Sequence, residues 1–261
     1  MLSHKKIISL FLIAFAVTVM TALTALHGRT QSSTASSKRD EGTPIQEGVM
    51  TERQKKHSKI FKGFEGATRG RKLRDLVAER GDIDVREDLG TTFLPPSFNL
   101  HENLQRLACE ADAVVIGTVK SKSSQLIEEG TFVFTDYEVA VEEILKNNFA
   151  APIQQNNAIT VTRSGGTVKL NGHIVRAIDY RDKPLEIGEH YLLYLKFISD
   201  TGAYRPFGNS MSDDTLYLRG GKITQVSRKY LPLGRRVADA DSFMAEVRTA
   251  LNSSCSNQAA Q

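Results

Sequence analysis

The 261-residue chain carries 34 Lys and Arg against 30 Asp and Glu, 40% hydrophobic residues, two cysteines and no tryptophan. These fractions are those of a globular protein of one domain with extensions, or two small ones, and exclude a disordered chain, a collagen and a polytopic membrane protein. Two cysteines are too few for a disulfide scaffold, and a surplus of four basic charges is too small for a dedicated nucleic-acid binder.

The chain opens with His4, Lys5 and Lys6, followed by residues 7–26, which carry no charge. A basic start before an apolar run is the pattern of a secretory signal, and it sends everything after Leu26 across the membrane. Two outcomes stay open. The 20-residue run is long enough to remain as a single-span anchor. Its apolar density falls after Val19, at Thr21 and Thr24, as in the cleavage region of a signal peptide. Either way the expected location is extracytoplasmic: secreted, periplasmic or anchored by residues 7–26.

Residues 27–98 are expected to form a flexible linker, because the first part is rich in Ser, Thr, Gln and Gly and poor in large apolar residues. Within it, residues 53–74 hold nine basic side chains, Arg53, Lys55, Lys56, Lys59, Lys62, Arg69, Arg71, Lys72 and Arg74, against the single acid Glu65. This segment is a solvated spacer or a candidate contact for an anionic surface, lipid head groups or wall polymer, with Phe61 and Phe64 entering the interface. From Glu102 onward, 18 basic side chains face 19 acidic ones, so the basic surplus belongs to the N-terminal part.

The folded domain is expected over residues 99–253, with a tail at 254–261. Asn99 and Glu102 have capping-box spacing, and Leu100, Leu104, Leu107, Ala108 and Ala111 share a helical face. The period then changes to a buried strand at residues 113–119 and an alternating strand at 132–141. Shorter strands follow at 158–163, 167–170 and 173–178, separated by Ser164-Gly165-Gly166 and by the hairpin signal Asn171-Gly172. Residues 191–198 form another apolar strand, and Gly220-Gly221 joins a last hairpin. Phe243, Val247 and Leu251 mark a closing helix. The fold class is therefore mainly β, α+β at the edges: antiparallel strands bracketed by two helices. A small OB-like barrel suits these lengths better than an open sandwich, with Gly117 at a barrel corner.

Three segments carry a family resemblance: Ala111-Asp112-Ala113-Val114-Val115-Ile116-Gly117-Thr118-Val119, the strand ending Glu142-Glu143-Ile144-Leu145-Lys146, and Leu185-Glu186-Ile187-Gly188-Glu189-His190-Tyr191-Leu192-Leu193-Tyr194-Leu195 before the last helix. Over roughly residues 105–251 their order resembles exported bacterial domains of unknown function with an OB-like barrel, similar in outline to the netrin and TIMP-like fold. TIMP-type inhibition uses an N-terminal cysteine, and no cysteine precedes Cys109, so that mechanism does not carry over.

No catalytic motif is legible. Gly208-Asn209-Ser210-Met211-Ser212 fails the nucleophile-elbow pattern at its last position, and Gly221-Lys222 is followed by Ile223, where a phosphate loop needs Ser or Thr. Asp82-x-Asp84-x-Arg86 puts a cation where a calcium loop needs an oxygen ligand. Asp213-Asp214 and Asp179-x-x-Asp182 read as turn acids. His101 lies on the polar side of its helix, and His173 and His190 lack a partner to orient a base. No enzyme, cofactor or metal is therefore expected. In an exported chain Cys109 and Cys255 are candidates for one disulfide tying the two helices together, with a buried free thiol at Cys109 as the alternative. The leading expectation is a non-catalytic binding or scaffolding module facing an unknown protein or envelope polymer, without nucleic acid. A protease-inhibitor-like protein acting by loop insertion comes second, and a hydrolase built on His173 or His190 third.

Overall fold

The computed structural model describes residues 43–44, 50–62, 68, 70–87, 100–179, 184–207, 215–219, 222–225 and 240–253. In chain order these are β1 (Thr43–Pro44), α1 (Glu52–Ile60), α2 (Leu73–Arg80), β2 (Ile83–Glu87), α3 (Leu100–Glu110), β3 (Ala113–Leu126), β4 (Val133–Lys146), β5 (Ala158–Ser164), β6 (Gly166–Leu170), β7 (His173–Asp179), β8 (His190–Ile198), β9 (Ala203–Pro206), β10 (Thr215–Arg219), β11 (Lys222–Gln225) and α4 (Ala240–Asn252). The protein is mainly β. Its strands form a seven-stranded sheet, β11-β10-β8-β3-β4-β5-β9, in which β8 also pairs with β9, and a four-stranded sheet, β1-β6-β7-β2, so the chain holds two sheets where one small barrel was expected.

β3 and β4 are each 14 residues long, well beyond the expected strands. At their near end they lie in the middle of the large sheet. There both faces of β3 and β8 are covered. Val114, Leu192 and Tyr194 meet α3 and α4 on one side, while Val115, Tyr191, Leu193 and Leu195 pack on the other with Val139, Val161 and Tyr204. Coverage on both faces explains why these strands read as unbroken apolar runs. Gly117 sits at a register shift of β3, where an added Cβ would lie 2.6 Å from the carbonyl oxygen of Ala140 on β4. The expected glycine bend is thus a close approach of two backbones.

At their far end β3 and β4 enter a second core. Leu126, Ile127, Phe132, Val133 and Phe134 pack there with Val168, Leu170, Val175 and Ala177 of β6 and β7. Phe61, Leu73, Leu76, Val77 and Val85 complete it. This corrects the expectation that residues 27–98 are all flexible linker: Glu52–Ile60 and Leu73–Arg80 are helices and Ile83–Glu87 is a strand, and all three carry buried side chains. α1 is closed by a reciprocal box in which Thr51 Oγ1 accepts from Gln54 N and Gln54 Oε1 accepts from Thr51 N. β2 runs parallel to β7, Ile83 opposite Val175.

The junction of α3 and β3 is held by charge. The Lys146 ammonium donates to the carbonyl oxygens of Ala108, Cys109 and Ala111 at 2.8, 3.1 and 2.6 Å, the groups a helix end leaves unpaired. Burial pulls the Lys146 amine below its ordinary range. Asp112 accepts from Phe197 N at 2.8 Å and from Lys196 Nζ at 2.9 Å. Burial alone would raise its carboxyl, but the Phe197 amide and the Lys196 ammonium outweigh it and hold the group below the usual carboxylate range. Its contribution is therefore present above about pH 4 and lost as pH falls through its lowered folded value. In acid titrations followed by circular dichroism, Asp112→Asn should cost about 1 kcal/mol at neutral pH, allowing for its partial exposure, and nothing at about pH 2. An equal deficit at both pH values counts against this role.

Cys109, in the last turn of α3, is disulfide-bonded. The only other cysteine in the sequence, Cys255, lies outside the described residues. Reduction should lower unfolding stability by up to about 4–5 kcal/mol, the entropic value for so long a loop. Two alkylatable thiols in native, unreduced protein would rule the bridge out.

Candidate functional site: a braced loop with an exposed aromatic ring

Between β4 and β5 the chain runs through Asn147-Asn148-Phe149-Ala150-Ala151-Pro152-Ile153, and the side chains of its two asparagines bond the loop's own backbone. Asn147 Oδ1 accepts from Asn148 N at 2.9 Å and from Ile153 N at 2.8 Å, while its Nδ2 donates to the Ile153 carbonyl at 3.0 Å. Asn148 is buried; its Oδ1 accepts from Ala150 N at 3.0 Å and its Nδ2 donates to Tyr204 Oη at 3.3 Å. That phenol donates in turn to the Ala151 carbonyl at 3.1 Å, and burial pushes it above the ordinary tyrosine range. Tyr204 packs its ring on Phe197, 5.2 Å between centroids. Ile153 anchors the far side of the loop in the core.

Short side chains that bond their own backbone fix a turn without a helix or ladder. Here the loop tip is tied to β9 as well as to itself. Phe149, at the tip, is 99% exposed. A singly exposed aromatic ring is ordinary at a protein surface; what distinguishes this one is that hydrogen bonds within the loop fix the backbone that carries it. The surrounding sequence is also unusual for the chain: residues 147–162 contain no Lys, Arg, Asp, Glu or His.

The residues singled out from sequence fall elsewhere. His173 is half-exposed, with Nδ1 3.3 Å from Asp82 Oδ1. Asp82 also accepts from Ile174 N at 2.9 Å, which holds its carboxyl below the usual range, with His173 adding to the effect. His190 is half-exposed, its Nδ1 3.1 Å from Glu142 Oε2 and 3.2 Å from Thr118 Oγ1; the Thr118 hydroxyl donates to the same carboxylate. A relay needs nucleophile and acid on opposite ring nitrogens. Both groups here face one nitrogen, so the cluster is a surface hydrogen-bond triangle. Asp84 pairs with Arg176 at 3.4 Å. The side chain of His101, and Asp213, Asp214 and Asp182, lie outside the described residues.

Of the basic candidates, Arg53, Lys55, Lys56 and Lys59 are exposed on α1, Lys62 just after it, and Arg71, Lys72 and Arg74 at or before α2; Arg69 lies outside the described residues. Several have partners: Lys55 with Glu52 at 2.7 Å, Lys56 Nζ with the Asp200 carbonyl at 3.0 Å, and Arg71 with Glu79. Phe61 is not available to an interface. It is buried and stacked on Phe134, 5.6 Å between centroids, because α1 needs an apolar contact to dock. Phe64 lies outside the described residues.

Sequence reading missed two sites. The Phe149 loop carried one signal, the uncharged run after Lys146. The other is His57, wholly buried with Nδ1 2.9 and 3.0 Å from the two oxygens of Asp136 on β4; it stood among lysines as an ordinary surface residue. A cleft of about 640 Å³ beside α2 and β2 is lined by Leu76, Ile83 and Val85 with Arg71, Arg80, Asp82 and Asp84. Its carboxylates and Arg71 are engaged within the protein.

Among the described residues no helix is long and apolar enough to cross a membrane; residues 7–26 lie outside them. No protein-family model and no curated protein matches the chain.

Proposed function

We propose that this chain is an exported, non-catalytic binding or scaffolding module built on an OB-like barrel and presented outside the cytoplasmic membrane. The observation that carries the barrel is the double pairing of β9. It lies parallel to β5 at Val161 and Tyr204, and antiparallel to β8 from Leu195–Pro206 to Ile198–Ala203. The run of pairings β8-β3-β4-β5-β9 therefore returns to β8, and Val115, Val139, Val161, Leu193 and Tyr204 are buried together along it. That order supports the resemblance in outline to netrin and TIMP-like domains, and OB-like barrels bind through one sheet face and its loops. Fold alone does not name a ligand. The test is recovery of a stoichiometric partner or envelope polymer by the tagged full chain from an envelope fraction. Recovery of nothing, or turnover of a substrate by the purified chain, counts against the reading.

The second reading, inhibition of a protease by loop insertion, is favoured by the braced loop that holds Phe149 outward. The exposed lysines of α1 support a contact with an anionic surface, at about 1 kcal/mol for each cation before screening. The full chain should sediment with phosphatidylglycerol vesicles at low salt and be released as salt rises. No sedimentation at any salt would remove that contact.

A further inference from the structure

β2 ends the four-stranded sheet: it pairs with β7 on one side, and among the described residues no strand lies on the other. The cleft beside α2 is lined by Asp82, Ile83, Asp84 and Val85 in succession, so the strand borders open space. The opposite end strand, β1, is two residues long and includes Pro44, and shortness and proline both blunt a sheet edge. β2 has five residues without Pro or Gly, and it pairs with β7 from Ile83–Val175 to Glu87–Asp179 with no bulge. Its outer side is a regular row of backbone donors and acceptors on which another strand can build.

Charge decides which strand that is. Val85 is buried in the second core and Ile83 packs against it, so Asp84 and Arg86 lie on the outer face, where both are exposed. In an antiparallel pair, residues directly opposite each other share a face. A second copy of β2 can therefore meet the first about a two-fold axis at Asp84, at Val85 or at Arg86. An axis at Asp84 sets that carboxylate against its own copy, and an axis at Arg86 sets two guanidiniums together. An axis at Val85 brings Asp84 opposite Arg86 of the second copy, and symmetry makes the same pair again. Ile83 then stands opposite Glu87 on the core side. Asp84 meets Arg176 of β7 through Oδ1 at 3.4 Å, which leaves Oδ2 for a second guanidinium. Edge charges of one sign disfavour every register; these two disfavour the flanking registers and favour the central one.

We infer that this chain forms a two-fold dimer through β2, the two strands antiparallel and centred on Val85, so that two four-stranded sheets become one continuous sheet. The inference goes beyond the binding-module reading and does not depend on what the module binds.

The test is sedimentation velocity on the full chain, in mild detergent because residues 7–26 are apolar, with Asp84→Arg and Arg86→Asp made separately. The wild-type chain should dimerise as its concentration rises. Each variant alone sets like charges opposite each other at both positions, so its dimer should be at least ~10-fold weaker. Mixed in equal amounts, the two variants should recover a one-to-one dimer, because one strand then carries two cations and the other two carboxylates. Both side chains are exposed, so each variant should melt close to wild type, and recovery on mixing is itself evidence that both are folded at this edge. A wild-type chain that stays monomeric at every concentration reached would overturn the inference. So would a dimer that neither substitution weakens, which would place the contact elsewhere. Variants that fail to pair when mixed would overturn the register centred on Val85, and the inference with it.

Discussion

A chain shortened to begin at residue 99 should lose most of its stability and expose the second core. The five apolar side chains it would give up, Phe61, Leu73, Leu76, Val77 and Val85, are all at least nine-tenths buried. At about 1.5–3 kcal/mol for each such side chain, their loss rivals the whole of an ordinary domain's 5–15 kcal/mol. The damage extends to the partners left behind. Phe134 loses the ring stacked on it, β7 loses β2 along one edge, and Leu170 and Val175 lose their cover. Thermal melts followed by circular dichroism, with a dye that reports exposed apolar surface, read this directly. A shortened chain that melts cooperatively within a few degrees of the full chain would restore the linker reading.

Removing the carboxylate of Asp136 should be the most damaging single polar change among those described. His57 is fully buried, and Asp136 is the group its Nδ1 reaches. Its Nε2 has no hydrogen-bond partner among the described residues. Asp136→Ala leaves a buried ring with neither nitrogen paired, at a cost of about 2–4 kcal/mol. For a chain of this size that lowers the melting temperature by roughly 5–15 °C. Asp136→Asn keeps an acceptor oxygen for Nδ1–H and should lose less than half as much. Replacing both partners with apolar residues of similar shape should recover most of the loss. If Asp136→Ala melts within a degree or two of wild type, the pair does not hold α1 in place.

The periodic parts of this fold were legible and the polar parts were not. Period-two alternation located the start of β4, the Asn171-Gly172 signal located the β6–β7 hairpin, and apolar stripes located α3 and α4. α1 escaped because its buried face is His57 and Ser58, which no hydrophobic pattern marks; Ser58 Oγ accepts from Glu128 N at 2.6 Å. β9 is four residues long and includes Arg205 and Pro206, so alternation had no room to show. Phe149 was invisible for the opposite reason. A sequence shows that a residue is aromatic, but only the folded loop shows that its ring faces solvent.

The parallel pairing of β2 with β7 also sets a timetable for synthesis. Val175 follows its partner Ile83 by 92 residues in the chain. At 5–20 residues per second, the N-terminal segment waits about 5–20 s for the strand that will cover it. Throughout that interval Leu73, Leu76, Val77 and Val85 stand in water beside a strand edge with nothing to pair with. The lysines and arginines that crowd residues 53–74 repel neighbouring copies during the wait. Charge at that density favours keeping the partly made chain in solution.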